Sequence, residues 1–432
     1  MELLEILVLV FSFLILLAIG IPIAWTLGIA SLLTIMLSLD SITAFTTMSQ
    51  QFLTSLDSFT LLAIPFFILA GQIMNQGGIA NRLINFAKNL IGALPGGLAH
   101  INVVAAMLFG AIAGSSVAAA SAIGSILGPR MKEEGYTKEF GASINITSSS
   151  MGLVIPPSNI LIVYSLASGG TSIAALFIAG YIPGILTGLA LMALAAVWAK
   201  RKNFPVGERS TLKNVATSFI NAFPSLLLLI VVIGGIVGGI FTATEAAAIA
   251  VVYTLALAFF YKEITFNDLP DVLINAVKTT SIVMLLIAAS MSMSWVMSFG
   301  HIPQNVSEAL LGLSDNKFVI LLLINLILLF VGMFMDITPA VLIFTPIFLP
   351  VALELGIDPV HFGIIMIVNL CIGICTPPVG TLLFVGVSVA ETTIEKVIKP
   401  LLPLFAAMLV VLMLVTFWED LSLWLPRLFN LI

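Results

Sequence analysis

Apolar runs of membrane-crossing length follow one another along almost the whole chain. A helix needs about 20 apolar residues to cross the hydrocarbon layer, and residues 3–37, 173–199 and 276–299 each reach that length. Charge is correspondingly scarce. Only 9% of residues are Asp, Glu, Lys or Arg, against 60% hydrophobic and a mean hydropathy of +1.20. Soluble domains carry about 25% charged residues, so a water-facing surface cannot be built from this composition and lipid has to be the main solvent. The fold class expected is an all-α polytopic membrane protein.

Other classes fall with that reading. A net charge of −5 and a pI near 5.2 give nucleic acid no electrostatic hold, so no nucleic-acid partner is expected. Cys371 and Cys375 lie four apart in an apolar run, without a disulfide framework or a zinc spacing. Alternating strand patterns are absent, which argues against a membrane β-barrel. Glu2 and Glu5 stand where a cleavable signal would carry basic residues, and the apolar run continues past Leu17.

The runs are interrupted in informative places. Gly20-Ile21-Pro22 divides the first, and residues 61–74 run into Asn75-Gln76-Gly77-Gly78. Residues 79–94 mix Arg82 and Lys88 with Leu, Ile and Phe, as an amphipathic helix at the membrane interface would. Residues 101–127 and 142–167 are apolar but rich in Ser, Gly and Pro; further runs cover 219–240, 246–261, 318–334, 343–355, 362–389 and 401–418. The segment from Lys200-Arg201-Lys202 through Arg209 to Lys213 opposes five bases to Glu208 and is placed in the cytoplasm. The acid-biased start puts the N-terminus outside. Thr242 and Glu245 fit a capping box before an apolar helix; the functional alternative is a carboxylate near a substrate or ion path.

Shifting the sequence by 221 aligns two stretches without a gap, with about 15 identities across residues 108–173. Pro129 meets Pro350, Gly135 meets Gly356, Gly152 meets Gly373, and Pro156-Pro157 meets Pro377-Pro378. Such repeats, often inverted across the membrane, build secondary transporters. Each half also has two places where helix should fail. These are the Gly114-Ser115-Ser116 and Gly152 to Pro157 segments, then the Gly332 to Pro339 and Gly373 to Pro378 segments. Pro-Pro removes two backbone donors and disfavours helix before it. Carbonyls freed at membrane depth cost several kcal/mol each unless something satisfies them. Na⁺ does so, being hard and oxygen-seeking, and half-helix N-termini suit an anionic substrate. Two matched break pairs therefore suggest two cation sites around a carboxylate site. Asp336 is the sharpest single residue, because carboxylates at membrane depth are functional by default. The bland alternative is an N-cap.

These segments, with Leu62-Ala63-Ile64-Pro65-Phe66-Phe67-Ile68-Leu69-Ala70-Gly71, the run from Gly239 through Thr244-Glu245 to Ala248, and Met335-Asp336-Ile337-Thr338-Pro339, resemble the large membrane subunit of a tripartite ATP-independent periplasmic (TRAP) transporter. The resemblance covers nearly the whole chain. It implies a multi-pass protein of the bacterial inner membrane with two helical hairpins and broken helices in inverted repeats, working as an elevator. It further implies Na⁺-coupled import of a small organic acid without ATP. The implied partners are a small four-helix membrane subunit, expected here as a separate chain, and a periplasmic binding protein. The implied organisation is N-terminal scaffold helices at 1–57, a first repeat with hairpin 1 at 58–200, and a cytoplasmic loop with central scaffold helices at 201–275. A second repeat with hairpin 2 follows at 276–400, and a C-terminal helix at 401–432. Carried over by position, Ser115, Gly152, Ile155 and Pro157 would hold one Na⁺, and Gly332, Asp336, Gly373 and Thr376 a second. Ser116, Ser150, Ser158 and Asn159 would meet the substrate's carboxylate and hydroxyls. Ser115 stands opposite Asp336 in the repeat, so the second site is expected to bind Na⁺ more tightly.

The absence of a Walker A motif agrees with gradient coupling, and no long soluble segment is present to capture substrate. One rival is a stand-alone Na⁺- or H⁺-coupled carboxylate carrier of the same architecture. An intramembrane enzyme is disfavoured: neither His-Glu-x-x-His nor Gly-x-Ser-x-Gly occurs, and His100, His301 and His361 are scattered. His361 reads as a polar helix start. A scaffold without a transport path is disfavoured by the polar breaks. Sialic acid and C4-dicarboxylates are both candidate cargoes.

Overall fold

The computed structural model describes residues 2–76, 78–202, 204, 210–314 and 316–432. Glu208 and Arg209 of the basic segment lie outside them. Twenty α-helices are present among the described residues, and no strand.

Glu2–Ala18 (α1) and Ile23–Ile35 (α2) pack side by side across the expected break. Ser41–Thr54 (α3) follows, with Asp40 as N-cap accepting from the Thr43 amide at 3.1 Å. A 3₁₀ turn at Phe59–Leu62 leads into Ala63–Gln76 (α4), and Ile79–Ile91 (α5) is amphipathic, burying Leu83, Ile84 and Ala87. The first hairpin is Gly97–Ala113 (α6) and Ser116–Glu133 (α7). Lys138–Met151 (α8) and Asn159–Ala167 (α9) form its broken helix. The long Ile173–Lys202 (α10), Leu212–Val237 (α11), Ala243–Phe260 (α12) and Leu269–Phe299 (α13) come next.

After Ile302–Leu313 (α14) the plan repeats. Lys317–Gly332 (α15) and Ile337–Glu354 (α16) make a second hairpin; Pro359–Gly373 (α17) and Thr381–Val389 (α18) make a second broken helix. Ile394–Phe417 (α19) and Asp420–Leu428 (α20) end the chain. Among the described residues, seven helical segments are long and apolar enough to cross a membrane. The 343–355 run begins earlier than its apolar stretch, at Ile337, because Thr338-Pro339 sits in the first helical turn, where a missing N–H costs nothing. The sequence reading did not expect α3, α14 and α20. They are too short to show as bilayer-length runs.

The two repeats pack reciprocally. α9 of the first lies on α16 of the second, and α18 of the second lies on α7 of the first. The innermost elements are the two long arms of the broken helices. α17 is buried at every position from Val360 to Gly373, and α8 from Ala142 to Met151. The capping box forms as read: the Thr242 amide donates to Glu245 Oε2 at 2.8 Å and the Glu245 amide to Thr242 Oγ1 at 3.2 Å. His361 is buried in the first turn of α17, its Nδ1 2.5 Å from Ser422 Oγ, which ties α20 down.

Candidate functional site: two hairpin tips on one cavity

Each hairpin turns where its sequence cannot continue a helix. Hairpin 1 turns at Gly114, whose φ of +60° suits glycine. A Cβ there would also stand 2.7 Å from Asn159 Nδ2, so the first residue of α9 closes over the tip. Ser115 then caps α7, its hydroxyl accepting from the Ala118 amide at 3.2 Å, and Ser116 follows, buried. In hairpin 2 the N-cap of α16 is Asp336. Its backbone is extended as an N-cap requires, yet its side chain makes no capping bond and stays accessible. The bland reading holds for the position and not for the carboxylate.

Both tips face one cavity of about 380 Å³. Ser115, Ser116, Asn159, Asp336 and Thr338 line it from the repeats. α7, α9 and α16 all begin at this wall, so three positive helix ends converge there. The opposite wall comes from α4 and α13. Ile64, Ile68, Gly71, Gln72 and Asn75 form one helical face of α4, and Thr279 and Val283 one of α13. The sequence reading missed Gln72, Asn75, Thr279 and Thr338. The signal was available for the first two: a polar pair three apart on the face of an apolar helix.

Behind the tips the breaks are built alike. α8 ends at Met151 with Gly152 as its C-cap and α9 starts at Asn159, with Ile155, Pro157 and Ser158 buried between them. α17 ends at Gly373 and α18 starts at Thr381. Both Pro-Pro bonds, 156–157 and 377–378, are cis. A Cβ on Gly152 would lie 2.8 Å from Gly110 Cα, and one on Gly373 would lie 2.6 Å from Gly332 Cα. Each break is thus pressed backbone to backbone on its own hairpin. Gly332 plays the part of Gly110 and not of its offset partner Ala111, so the repeat slips by one residue in the first hairpin arm.

The structure brings Ser115, Ser116, Asn159 and Asp336 to the cavity. It places Gly152, Ile155, Pro157, Ser150, Ser158, Gly332, Gly373 and Thr376 in or beside the breaks, off the cavity wall. Ser150 donates to the Thr147 carbonyl at 2.9 Å, and Ser158 Oγ is buried without a partner. Thr376 donates its hydroxyl to the Ile372 carbonyl at 2.8 Å and its amide to the Gly373 carbonyl at 2.8 Å. Those carbonyls keep a second lone pair, and the hydroxyl remains an acceptor. Ser115, Asp336 and the break carbonyls offer oxygen only, the donor type a hard cation takes. Glu245 is spent on its capping box and does not line the cavity.

A multi-pass helical protein in which two repeats, each with a broken helix, bring their hairpin tips to one cavity is a transporter permease in architecture. The sequence matches the family description "Tripartite ATP-independent periplasmic transporter, DctM component" over residues 10–421. It is 58% identical to the uncharacterized protein YgiK of Salmonella typhimurium, covering 98% of both chains. It is 42% identical to the C4-dicarboxylate TRAP transporter large permease protein DctM of Pseudomonas aeruginosa, covering 93% of this chain and 94% of that one. Identity to the sialic acid TRAP transporter large permease protein SiaM of Vibrio cholerae is 38%, over 97% and 98%. The fold is similar to a crystal structure of the Alcanivorax borkumensis YdaH transporter, with a TM-score of 0.66 and 15% identity over 88% and 89% of the two chains. The chain belongs to the large permease family of TRAP transporters and is a multi-pass protein of the bacterial inner membrane. Its family consists of transporters and not enzymes, working with a small membrane subunit and a periplasmic binding subunit.

Proposed function

We propose that this permease imports a small organic acid by Na⁺ symport, receiving it from a periplasmic binding protein and moving its two hairpins together as an elevator. The observation that carries the reading is the shared cavity, with Asp336 from one repeat and Ser115, Ser116 and Asn159 from the other on its wall. A carboxylate cargo suits three converging helix N-termini. Na⁺ at two sites would balance the cargo's charge beside Asp336. Break oxygens of Gly152, Ile155 and Pro157 with Ser115 would serve one ion, and Gly332, Gly373 and Thr376 with Asp336 the other. The relatives whose names specify C4-dicarboxylates or sialic acid both carry acids, so the cargo class is an organic acid and the binding protein sets which one.

The experiment is uptake into proteoliposomes holding this chain and its small membrane subunit. Uptake should require both an inward Na⁺ gradient and the binding protein. Uptake unchanged by replacing Na⁺ with K⁺ would remove the coupling claim. Full uptake without the binding protein would favour the stand-alone carrier.

A further inference from the structure

At the far end of hairpin 1 from its tip lies a second cavity, of about 400 Å³. Its walls include Ser125 and Lys132 of α7, Lys138 and Asn145 of α8, Asn102 of α6 and Glu391 just beyond α18. No lining residue is shared with the tip cavity. Tyr136, in the turn between α7 and α8, meets Phe204 just past the Lys200-Arg201-Lys202 end of α10, with ring centroids 4.2 Å apart. The basic end of the molecule faces the cytoplasm by the positive-inside rule, so this cavity opens there.

Its chemistry is selective. Asn145 is only 3% exposed; its Nδ2 donates to the Ala120 carbonyl at 2.7 Å, while its Oδ1 has no partner. A buried acceptor left unpaired is unfavourable, so the position favours a ligand that brings a donor. Lys138 is held by Glu391 at 3.1 Å, whereas Lys132 has no ion pair among the described residues. Two lysines against one glutamate leave the lining one net positive charge. The volume falls in the range of about 300–1,000 Å³ typical of small-molecule sites.

We infer that this cavity is a cytoplasm-facing site for a small hydroxycarboxylate, its carboxylate at Lys132 and a hydroxyl donating to Asn145 Oδ1. The inference stands apart from the cargo reading, because the two cavities have separate walls.

The test uses the full chain carrying Ser125→Cys. Ser125 is exposed in the cavity wall, and the native Cys371 and Cys375 are buried and give little background. Maleimide labelling is followed in Na⁺-free buffer with L-malate or with succinate, which lacks only the hydroxyl. Malate should protect saturably at about one-tenth the concentration succinate needs, the ratio expected for one satisfied acceptor. Lys132→Gln should abolish protection by both acids. Asn145→Leu should erase the malate preference and keep protection by succinate. Asp336→Asn, at the tip cavity, should change neither. Lys132 is exposed, so its variant decides the matter where Asn145→Leu fails to fold. Absent protection, equal protection by the two acids, or protection lost with Asp336→Asn would each overturn the assignment.

Discussion

The first repeat meets its helix break with neutral oxygens, and the second meets it with a carboxylate. α8 is polar through its buried stretch, with Ser143, Asn145, Thr147, Ser148, Ser149 and Ser150 all buried. The offset places Ile364, Met366, Val368, Asn369, Leu370 and Cys371 at the same positions of α17, all buried and mostly apolar. Four of the α8 hydroxyls survive burial by donating to their own helix, Ser143 to Phe140, Thr147 to Ser143, Ser148 to Ile144 and Ser150 to Thr147, while Ser149 Oγ has no partner among the described residues. One backbone plan thus tolerates two polar strategies, dispersed hydroxyls in one half and a single charge, Asp336, in the other. The difference teaches that the breaks and close glycine contacts define the architecture, while the charge is placed independently of it.

The largest expected effect falls on that charge. Asp336→Asn should raise the Na⁺ concentration for half-maximal uptake by roughly 10- to 100-fold, matching the ~1.5–3 kcal/mol of a hydrogen bond to a charged group. Ser115→Ala removes a neutral oxygen and a helix cap worth about 1 kcal/mol, so roughly a fivefold shift is expected. Na⁺ titration of uptake in proteoliposomes measures both. Equal small losses would sink the asymmetry.

The glycine contacts test what the repeats share. Gly152→Ala and Gly373→Ala each drive a Cβ to within 3 Å of a facing Cα, at 2.8 and 2.6 Å. Neither neighbour is a side chain that can swing away, so each should cost about 1–3 kcal/mol as overpacking does. Melting can be followed with a thiol-reactive dye, since Cys371 and Cys375 become reactive only when the core opens. Comparable losses are expected in the two halves; tolerance in one half alone would show that the close contact is not a common requirement.

A smaller contrast lies one helical turn further from the breaks. Asn369 donates to Asn325 Oδ1 at 2.7 Å and to the Asn325 carbonyl at 2.9 Å, joining α17 to α15. Its offset partner Ser148 reaches Asn102 Oδ1 at 3.2 Å but also bonds its own helix at 2.7 Å. Asn369→Ala strands buried polar atoms on Asn325 and should lower stability by about 1–3 kcal/mol, against about 1 kcal/mol for Ser148→Ala. The dye melt again decides, and a reversed order would mean the α6–α8 pair carries more of the hairpin's attachment than its longer bond indicates.

Much of this was legible in the sequence, for identifiable reasons. Gly and Pro act locally, so the matched positions Gly152 with Gly373 and the two Pro-Pro pairs revealed the breaks without any tertiary knowledge. Thr242 and Glu245 announced their capping box because both partners lie within one turn. The cavity's second wall was not legible. Gln72 and Thr279 come together only through packing of α4 and α13 against the repeats. The one-residue slip at Gly110 and Gly332 was also invisible, because an ungapped alignment cannot show which glycine meets which across a hairpin. The short helices α3, α14 and α20 escaped because bilayer length was the criterion, and amphipathic pieces do not meet it.

The smallest effect concerns the single ion pair seen between the repeats among the described residues, Lys138 at the start of α8 with Glu391 just past α18. The nitrogen–oxygen distance is 3.1 Å, but the Glu391 side chain is 83% exposed. Exposed pairs gain little because solvent screens them and two long side chains lose freedom, giving about 0–1 kcal/mol. A double-mutant cycle of Lys138→Gln and Glu391→Gln should therefore show a coupling of a few tenths of a kcal/mol that fades in high salt. A coupling above about 1.5 kcal/mol would exceed what an exposed pair supplies. It would mean that the repeats are joined at this end of hairpin 1 by charge as well as by the reciprocal packing of α9 on α16 and α18 on α7.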